Sequence, residues 1–234
     1  MSFVKKFLAI YRIDWKMLKR DPMLVYSIVI TLILLFVVRY FKDRLGVLYP
    51  PAAIFCIIFI PLIFGMIPGF MMANEKEEKT IAALQVIPIS SEAFLTYRLL
   101  WASAVTVILT GLAPKILDIM VPWKGLLALM ALFIIEVWTY ALLITDFSKT
   151  RMQALTVSKV AGWLLILPPA IKFIVIARNM STDWSKFTAF LPTYWVYRLF
   201  EGIPFNDYGD FWPGLVVHLM WLVPLVWLFR RRVL

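Results

Sequence analysis

Six apolar stretches, each about as long as a lipid bilayer core is thick, constrain this chain more than any other feature. They cover residues 23–41, 50–72, 94–116, 123–145, 157–177 and 211–229. A helix needs about 20 predominantly apolar residues to cross the hydrocarbon core. The hydrophobic share of 62% is also well above that of a soluble domain. We therefore predict an all-α integral membrane protein, with a single transmembrane domain over 1–234 and six transmembrane helices.

The residues before the first apolar stretch predict a helix that lies on the membrane surface. Over 1–20, the aromatic residues Phe3, Phe7, Tyr11 and Trp15 recur every four positions, with basic residues between them. Such a basic amphipathic helix suits the headgroup layer. A signal peptide is not expected, because charges interrupt the apolar residues and no small-residue cleavage site follows.

The basic residues indicate how the spans are oriented. A net charge of +10 would suggest nucleic acid binding in a soluble protein, but here the lysines and arginines lie between apolar stretches. Loops rich in lysine and arginine mark the cytoplasmic side of a membrane. Six spans place both termini on one side, which also carries most of the 24 basic residues. We predict a multi-pass protein of the bacterial cytoplasmic membrane with both termini in the cytoplasm and no nucleic acid partner.

The loop between the second and third apolar stretches is strongly charged and has the period of a helix. It starts with the charged residues Glu75, Lys76 and Glu77. Apolar residues spaced three apart follow, namely Ile81, Leu84 and Ile87, and the loop closes with Pro88. Acidic residues suit the start of a helix, and proline ends one. We predict a short cytoplasmic helix over 74–88, whose apolar stripe needs a partner or a membrane surface to cover it.

Three residues inside the spans are candidates for lining a transport cavity: Glu136, Met66 and Lys172. Charges at membrane depth are costly and usually face a bundle interior or a watery cavity. Glu136 and Lys172 also have a structural alternative, in which they pair with each other. Met66 either supplies an adaptable apolar wall or simply packs.

The connection before the last span contains an unusual apolar segment. Residues 191–202, LPTYWVYRLFEG, are too apolar for a solvated loop and too short to cross the membrane. We predict an interfacial or re-entrant segment on the outer side. His218 lies in the sixth apolar stretch and is expected to pack or to line a pathway, since a single histidine makes no histidine-rich metal site.

The order of these elements resembles the permease subunits of type-2 ABC transporters. The inner-loop pattern of that family is roughly E-R-E-x-G-T, followed by L-x-x-x-P-x-S and a basic residue. The matching positions here are Glu75, Lys76, Glu77, Thr80, Leu84, Pro88, Ser90 and Arg98. Lys79 stands where the family usually has glycine. The LPTYW segment is similar to the outer segment of small bacterial drug-exporter permeases.

This resemblance implies a mechanism. Two permease subunits, identical or different, would pair above two separate ATPase subunits that bind ATP and Mg, while this chain would carry no cofactor and no catalytic residue. The helix at 74–88 would be the coupling helix, seated in a groove of the ATPase. Closure of the ATPase dimer would rock the spans and move a small amphipathic substrate, drug-like or antimicrobial, outward. The residues that would couple to the ATPase are Glu75, Lys76, Glu77, Thr80, Ile81, Leu84, Ile87 and Pro88.

Two other functions remain open on the residues alone. An integral membrane enzyme acting on lipid or isoprenoid substrates would need acid, base or metal-binding groups that converge at a membrane face. The acidic residues at 75–78 are candidates, although Lys76 and Lys79 alternate with them. A secondary transporter would predict internal repeats, and none is evident in the sequence. Substrate identity does not follow from the architecture.

Overall fold

The computed structural model describes residues 22–78, 91–180 and 186–233, which fold into a bundle of helices. The main helices are α1 (Pro22–Tyr40), α2 (Tyr49–Glu77), α3 (Ser91–Ile116), α4 (Trp123–Asp146), α5 (Arg151–Ala177), α6 (Pro192–Gly202) and α7 (Phe211–Val233). Short helical turns cover Lys42–Leu45, Gly46–Leu48 and Ile203–Phe205. All of the main helices except α6 are long and apolar enough to cross a membrane. The prediction of an all-α protein with six spans is confirmed for the described residues.

The contact between α2 and α4 forms the centre of the bundle. Gly65 and Gly69, one turn apart on α2, both face α4. A Cβ added to Gly65 would lie 2.8 Å from the carbonyl oxygen of Val137, and one added to Gly69 would lie 3.0 Å from Cβ of Ile144. Small residues spaced by four let two membrane helices approach closely, so that their side chains gain dispersion contacts.

The other helices surround this central pair. Helices α1, α3, α5 and α6 pack on α2, and α3, α5, α6 and α7 pack on α4. Phe64 and Ile67 of α2 and Phe133 and Val137 of α4 are all fully buried in the main apolar core. Helix α1 lies at the edge of the bundle and exposes side chains such as Ile30, so part of its apolar surface is left for lipid or for another subunit.

Polar contacts distinguish the two ends of the bundle. At one end, Asp118 in the turn between α3 and α4 pairs with Nζ of Lys42 at 2.6 Å and with Nη1 of Arg39 at 3.2 Å. The Tyr49 hydroxyl donates to the carbonyl oxygen of Leu117 beside it. We call this the Asp118 end. The opposite end, where α2 and α4 finish and α3 and α5 begin, contains Glu75, and we call it the Glu75 end.

The ion pairs of Asp118 predict a pH dependence. The pKa of the Asp118 carboxyl is lowered. The largest cause is the hydrogen bond from Lys42, and the positive charges of Lys42 and Arg39 add to it. A carboxyl with a lowered folded-state pKa stabilises the fold above its unfolded pKa, and this contribution is lost as the pH falls through the folded value. We expect Asp118→Asn to lower the melting temperature slightly at neutral pH, since the pairs are exposed, and to have no effect in acid. Asp43→Asn, at the same end, is the control for loss of a surface charge. If the difference in melting temperature between wild type and Asp118→Asn became larger as the pH fell, the ion pairs of Asp118 would not be the cause.

Helix α2 extends beyond its predicted end. It continues through Glu77, so Glu75, Lys76 and Glu77 form its last turn and do not begin a separate helix as predicted. No helix-breaking residue lies between Ala73 and Glu77, and the side chain of Asn74 donates to Glu78 Oε1 at 2.8 Å across the last turn. The helix predicted over 1–20 lies outside the described residues. The same is true of the rest of the predicted coupling helix, including Thr80, Ile81, Leu84, Ile87 and Pro88.

Candidate functional site

At the Glu75 end, an ion pair joins the two helices that flank the predicted coupling segment. Oε1 of Glu75, in the last turn of α2, pairs with Nη2 of Arg98 on α3. The two side chains are only 19% and 12% exposed. The Arg98 guanidinium also lies 5.6 Å from the centre of the Phe94 ring. Because water screens a largely buried pair only weakly, this contact holds the end of α2 against the start of α3.

The next two residues of α2 bind the ends of two further helices. Nζ of Lys76 donates to the carbonyl oxygen of Thr145, in the last turn of α4. Oε2 of Glu77 accepts a 2.7 Å hydrogen bond from the backbone N–H of Arg151, the first residue of α5. Both contacts use backbone groups that a helix end leaves unsatisfied, and each places a charge where the helix dipole favours it.

These three contacts make the last turn of α2 a junction of four helices. The contact of Glu75, Lys76 and Glu77 with an ATPase stays a prediction; within this chain the three residues bind α3, α4 and α5. Residues 79–90 connect α2 to α3 along the chain, so the predicted coupling helix lies in sequence between two helices of this junction.

Glu136 is fully buried in α4, and neither of its carboxylate oxygens has a hydrogen-bond partner among the described residues. The pairing of Glu136 with Lys172 that the sequence left open is not formed. Nζ of Lys172 instead donates to both carboxylate oxygens of Glu201 on α6, at 3.1 and 3.3 Å. Met66 is half-buried and packs against the apolar cluster around Tyr140. Lys172 and Glu136 are therefore not partners, and Lys172 pairs with a carboxylate of α6 instead.

A chain of charges connects α5, α6 and α7 toward the Asp118 end. Lys172 is nearly buried, and its partner Glu201 also lies 3.7 Å from Nη1 of Arg198. Nε of Arg198 is 3.3 Å from Asp210, next to the start of α7. Glu201 and Arg198 were not predicted as site residues, although their spacing of three residues puts them on the same side of a helix.

The segment predicted to be interfacial or re-entrant forms α6, which packs against α4, α5 and α7. Its side chains Tyr194, Tyr197 and Phe200 are buried. The Thr193 hydroxyl donates to the carbonyl oxygen of Leu165 on α5. Helix α6 is thus part of the packed bundle in the structure.

Two of the cavities on the surface of the described bundle are lined in part by α5. One has a volume of about 250 Å³, lies beside Glu201 and is walled by apolar residues such as Pro51, Ile119 and Phe200. The other, of about 310 Å³, opens between α2 and α5. Its lining residues are Phe55, Phe59, Ser158, Lys159, Gly162, Trp163 and Ile166. Neither cavity is lined by Glu136, Met66 or Lys172.

Comparison with known proteins identifies the family. Residues 14–230 match the family described as "Fluoroquinolones export permease protein Rv2686c-like". Two similar proteins from Mycobacterium tuberculosis are fluoroquinolones export permease protein MT2760 of strain CDC 1551 / Oshkosh and fluoroquinolones export permease protein Rv2686c of strain ATCC 25618 / H37Rv. Each is 24% identical over 204 residues, which cover 83% of this chain and 75% of the relative.

The matched region contains both charged clusters described above. It also includes the residues of the predicted coupling segment and nearly all of every described helix. The family name indicates a transport subunit and not a catalyst, in agreement with the resemblance to drug-exporter ABC permeases. This chain therefore belongs to the Rv2686c-like family of fluoroquinolone export permeases.

Proposed function

We propose that this chain is the transmembrane subunit of an ATP-driven ABC exporter that moves a small amphipathic drug outward across the cytoplasmic membrane. The family match over residues 14–230 is the observation that carries the proposal. Because the relatives are named for fluoroquinolone export, fluoroquinolones are the first substrates to test. A separate ATPase chain binds ATP and Mg, and a second permease subunit, identical or different, completes the transporter.

The part of the predicted coupling helix (74–88) that follows α2, which we call the coupling segment, carries the contact with the ATPase in this proposal. Its apolar residues Ile81, Leu84 and Ile87 would fill a groove of the ATPase, with the Glu75 end facing the cytoplasm. The helix junction formed by Glu75 and Lys76 supports this role, because it connects the ends of the segment to the transmembrane bundle. ATP-driven closure of the ATPase dimer would then move the attached helices as a unit.

Co-purification with an ABC ATPase tests the proposal. We expect the full-length chain, expressed together with a candidate ATPase, to form a complex that survives mild detergent. Leu84→Asp would place a charge in an apolar contact and weaken the complex by about 2 kcal/mol or more, which corresponds to roughly 30-fold in the dissociation constant. Leu84→Met is the matched control, because it keeps an apolar side chain of similar volume.

Drug accumulation in cells measures the function directly. We expect cells that express the chain and its ATPase to accumulate less fluoroquinolone than cells with an empty vector, and Leu84→Asp to abolish the difference. Normal export by Leu84→Asp would show that the coupling segment is assigned wrongly. If no ATPase binds the wild-type chain and drug accumulation is unchanged, the exporter proposal fails and the membrane-enzyme and secondary-transporter functions must be tested.

A further inference from the structure

The cavity of about 310 Å³ between α2 and α5 is lined by two side chains whose hydrogen-bond donors are unused. They are Lys159 and Trp163, both on α5. Neither side chain forms a hydrogen bond or an ion pair with any residue in 22–78, 91–180 and 186–233. An unpaired donor in hydrocarbon costs free energy, and an ionisable group at membrane depth is most often functional. An acceptor on another molecule would satisfy both donors.

Trp163 occupies an unusual place for a tryptophan of a membrane helix. Tryptophans concentrate at the two membrane–water interfaces. Trp163 lies near the middle of the 27-residue helix α5, about 18 Å from its start at the Glu75 end, and Lys159 lies about 12 Å from that start. The Trp163 side chain is nevertheless 76% exposed. Its position is therefore explained neither by packing in the core nor by the membrane interface.

Helical spacing puts the two donors side by side on a part of α5 that is fixed against α4. Lys159 and Trp163 are four residues apart, so they project from the same face of the helix. The residue before each of them, Ser158 and Gly162, also lines the cavity. A Cβ added to Gly162 would lie 3.0 Å from the hydroxyl oxygen of Tyr140. That hydroxyl donates a 2.7 Å hydrogen bond to the carbonyl oxygen of Ser158, which holds this turn of α5 on α4.

Two phenylalanines line the cavity from the α2 side. Phe55 and Phe59 are one turn apart, and their ring centres lie 5.0 Å apart with the planes inclined by 52°. Together with the indole of Trp163 they place three aromatic rings around one cavity. Small-molecule sites are typically apolar cavities of about 300–1,000 Å³ with a few polar groups, and aromatic rings bind other rings in offset or edge-to-face contacts. The cavity thus suits a compact molecule with an aromatic ring system.

The charge of the cavity decides which aromatic molecule is complementary. Its lining residues include Lys159 and no aspartate or glutamate. The ammonium of Lys159 and the indole N–H of Trp163 only donate hydrogen bonds. A carboxylate accepts at both of its oxygens and carries the opposite charge, and such charge-assisted hydrogen bonds are strong. A carboxylate can therefore bind both donors, whereas a cationic group would be repelled by Lys159.

We propose that the cavity between α2 and α5 binds an aromatic carboxylate, with the carboxylate at Lys159 and Trp163 and the rings against Phe55 and Phe59. The proposal rests on the exporter function and deepens it, because it restricts the substrate class to amphipathic aromatic acids. It also gives a route of entry. The cavity lies at the surface of the bundle at membrane depth, so the substrate enters from the lipid, on the side of the Glu75 end.

Equilibrium dialysis with two matched probes tests this site on the purified full-length chain, with the same mild detergent in both chambers. The probes are 2-naphthoic acid, which is ionised at neutral pH, and 2-naphthamide, which has the same rings and no charge. We expect the wild-type chain to bind the acid at least ~10-fold more tightly than the amide, as a charge-assisted hydrogen bond predicts.

Three variants separate the contributions of charge, indole N–H and ring contact. Lys159→Met keeps a long apolar side chain without the charge and should abolish the preference for the acid. Trp163→Phe keeps a ring but removes the indole N–H, so it should reduce the preference. Phe59→Ala removes a ring and leaves both donors in place. We expect it to weaken the binding of both probes by a similar factor.

Lys124→Met is the matched control. Lys124 is also an exposed lysine beside a tryptophan, with Nζ 5.8 Å from the centre of the Trp123 ring, but it does not line this cavity. We expect this variant to keep the preference for the acid. Lys159→Met should melt at the wild-type temperature, because the Lys159 side chain is exposed and pairs with none of the described residues. A purely structural role for Lys159 predicts a lower melting temperature instead.

The proposal is overturned if the wild-type chain binds both probes equally or binds neither. It is also overturned if Lys159→Met keeps the preference for the acid, or loses it only together with its melting temperature. Displacement of 2-naphthoic acid by phosphatidylglycerol, but not by phosphatidylcholine, would overturn it as well, since Lys159 would then pair with a lipid phosphate.

The dialysis needs no ATPase, so it is separate from the test of the exporter function. Failure to bind any ATPase would count against that function and leave the dialysis to decide the acid site. Equal binding of the two probes would remove the proposed substrate class and leave the exporter function standing.

Discussion

Replacing Gly65 with leucine will prevent α2 and α4 from packing, and we expect a chain that inserts into the membrane but does not form a stable bundle. A Cβ at position 65 would lie 2.8 Å from the carbonyl oxygen and 3.2 Å from Cα of Val137. Both atoms belong to the backbone of α4, so they cannot be relieved by a change of rotamer. Alanine alone should cost about 1–3 kcal/mol, as overpacking does in a close-packed core, and leucine should cost more.

The experiment compares melting temperatures in detergent and elution from a size-exclusion column. We expect Gly65→Ala to melt well below wild type and Gly65→Leu to elute as aggregate. Gly111→Ala is the control, because a Cβ there would meet only the terminal methyl of Met130, at 3.2 Å, and that flexible side chain can move. If Gly65→Ala melted at the same temperature as wild type, α2 and α4 would not approach each other as closely as described.

The spans were predictable from the sequence, whereas the contact at their centre was not. Length and apolar composition define a membrane helix without reference to its neighbours. Gly65 and Gly69 form a small-x-x-x-small pattern that was visible in the sequence and could have indicated a helix contact. The pattern does not name its partner, however, and only the fold shows that both glycines face α4.

The end of α2 was mispredicted because charge is a poor guide to helix boundaries. Glutamate and lysine are both good helix formers, so a charged run can continue a helix as well as begin one. Here the run at 75–77 continues α2, and its charges bind the ends of neighbouring helices. An isolated carboxylate such as Glu136 is easier to recognise, since any ionisable group inside a span is unusual.

Partners of buried charges also depend on the fold. Lys172 and Glu136 both lie in apolar stretches, so the sequence allows them to pair. It binds Glu201 instead, since α6 docks against α5 and brings that carboxylate to it. Glu201 lies in the segment 191–202. The apolar residues of that segment predict an interfacial or re-entrant position, but they do not predict a partner for Glu201. Helix order and docking thus decide which charges meet.

Removing the guanidinium of Arg98 should impair export more than any other single loss of a charge at the Glu75 end. Arg98→Ala would leave Glu75 largely buried without this partner, at a cost of about 2–5 kcal/mol. The apolar residues of the coupling segment would be unchanged, so the ATPase should still bind. We expect ATP hydrolysis to continue while drug export falls, because the end of α2 is no longer tied to the start of α3.

The measurements are ATPase co-purification, ATP hydrolysis and drug accumulation for the same variant. Arg198→Ala is the matched control, since Arg198 pairs with Asp210 at the other end of the bundle and is 43% exposed, where a pair contributes about 1 kcal/mol or less. Equal export by the two variants would mean that the Glu75–Arg98 pair only stabilises the fold. If Arg98→Ala alone loses export while it still binds the ATPase, the Glu75–Arg98 pair is needed to transmit movement from the ATPase to the transmembrane helices. The two helices on either side of residues 79–90 would then have to move together for ATP hydrolysis to drive transport.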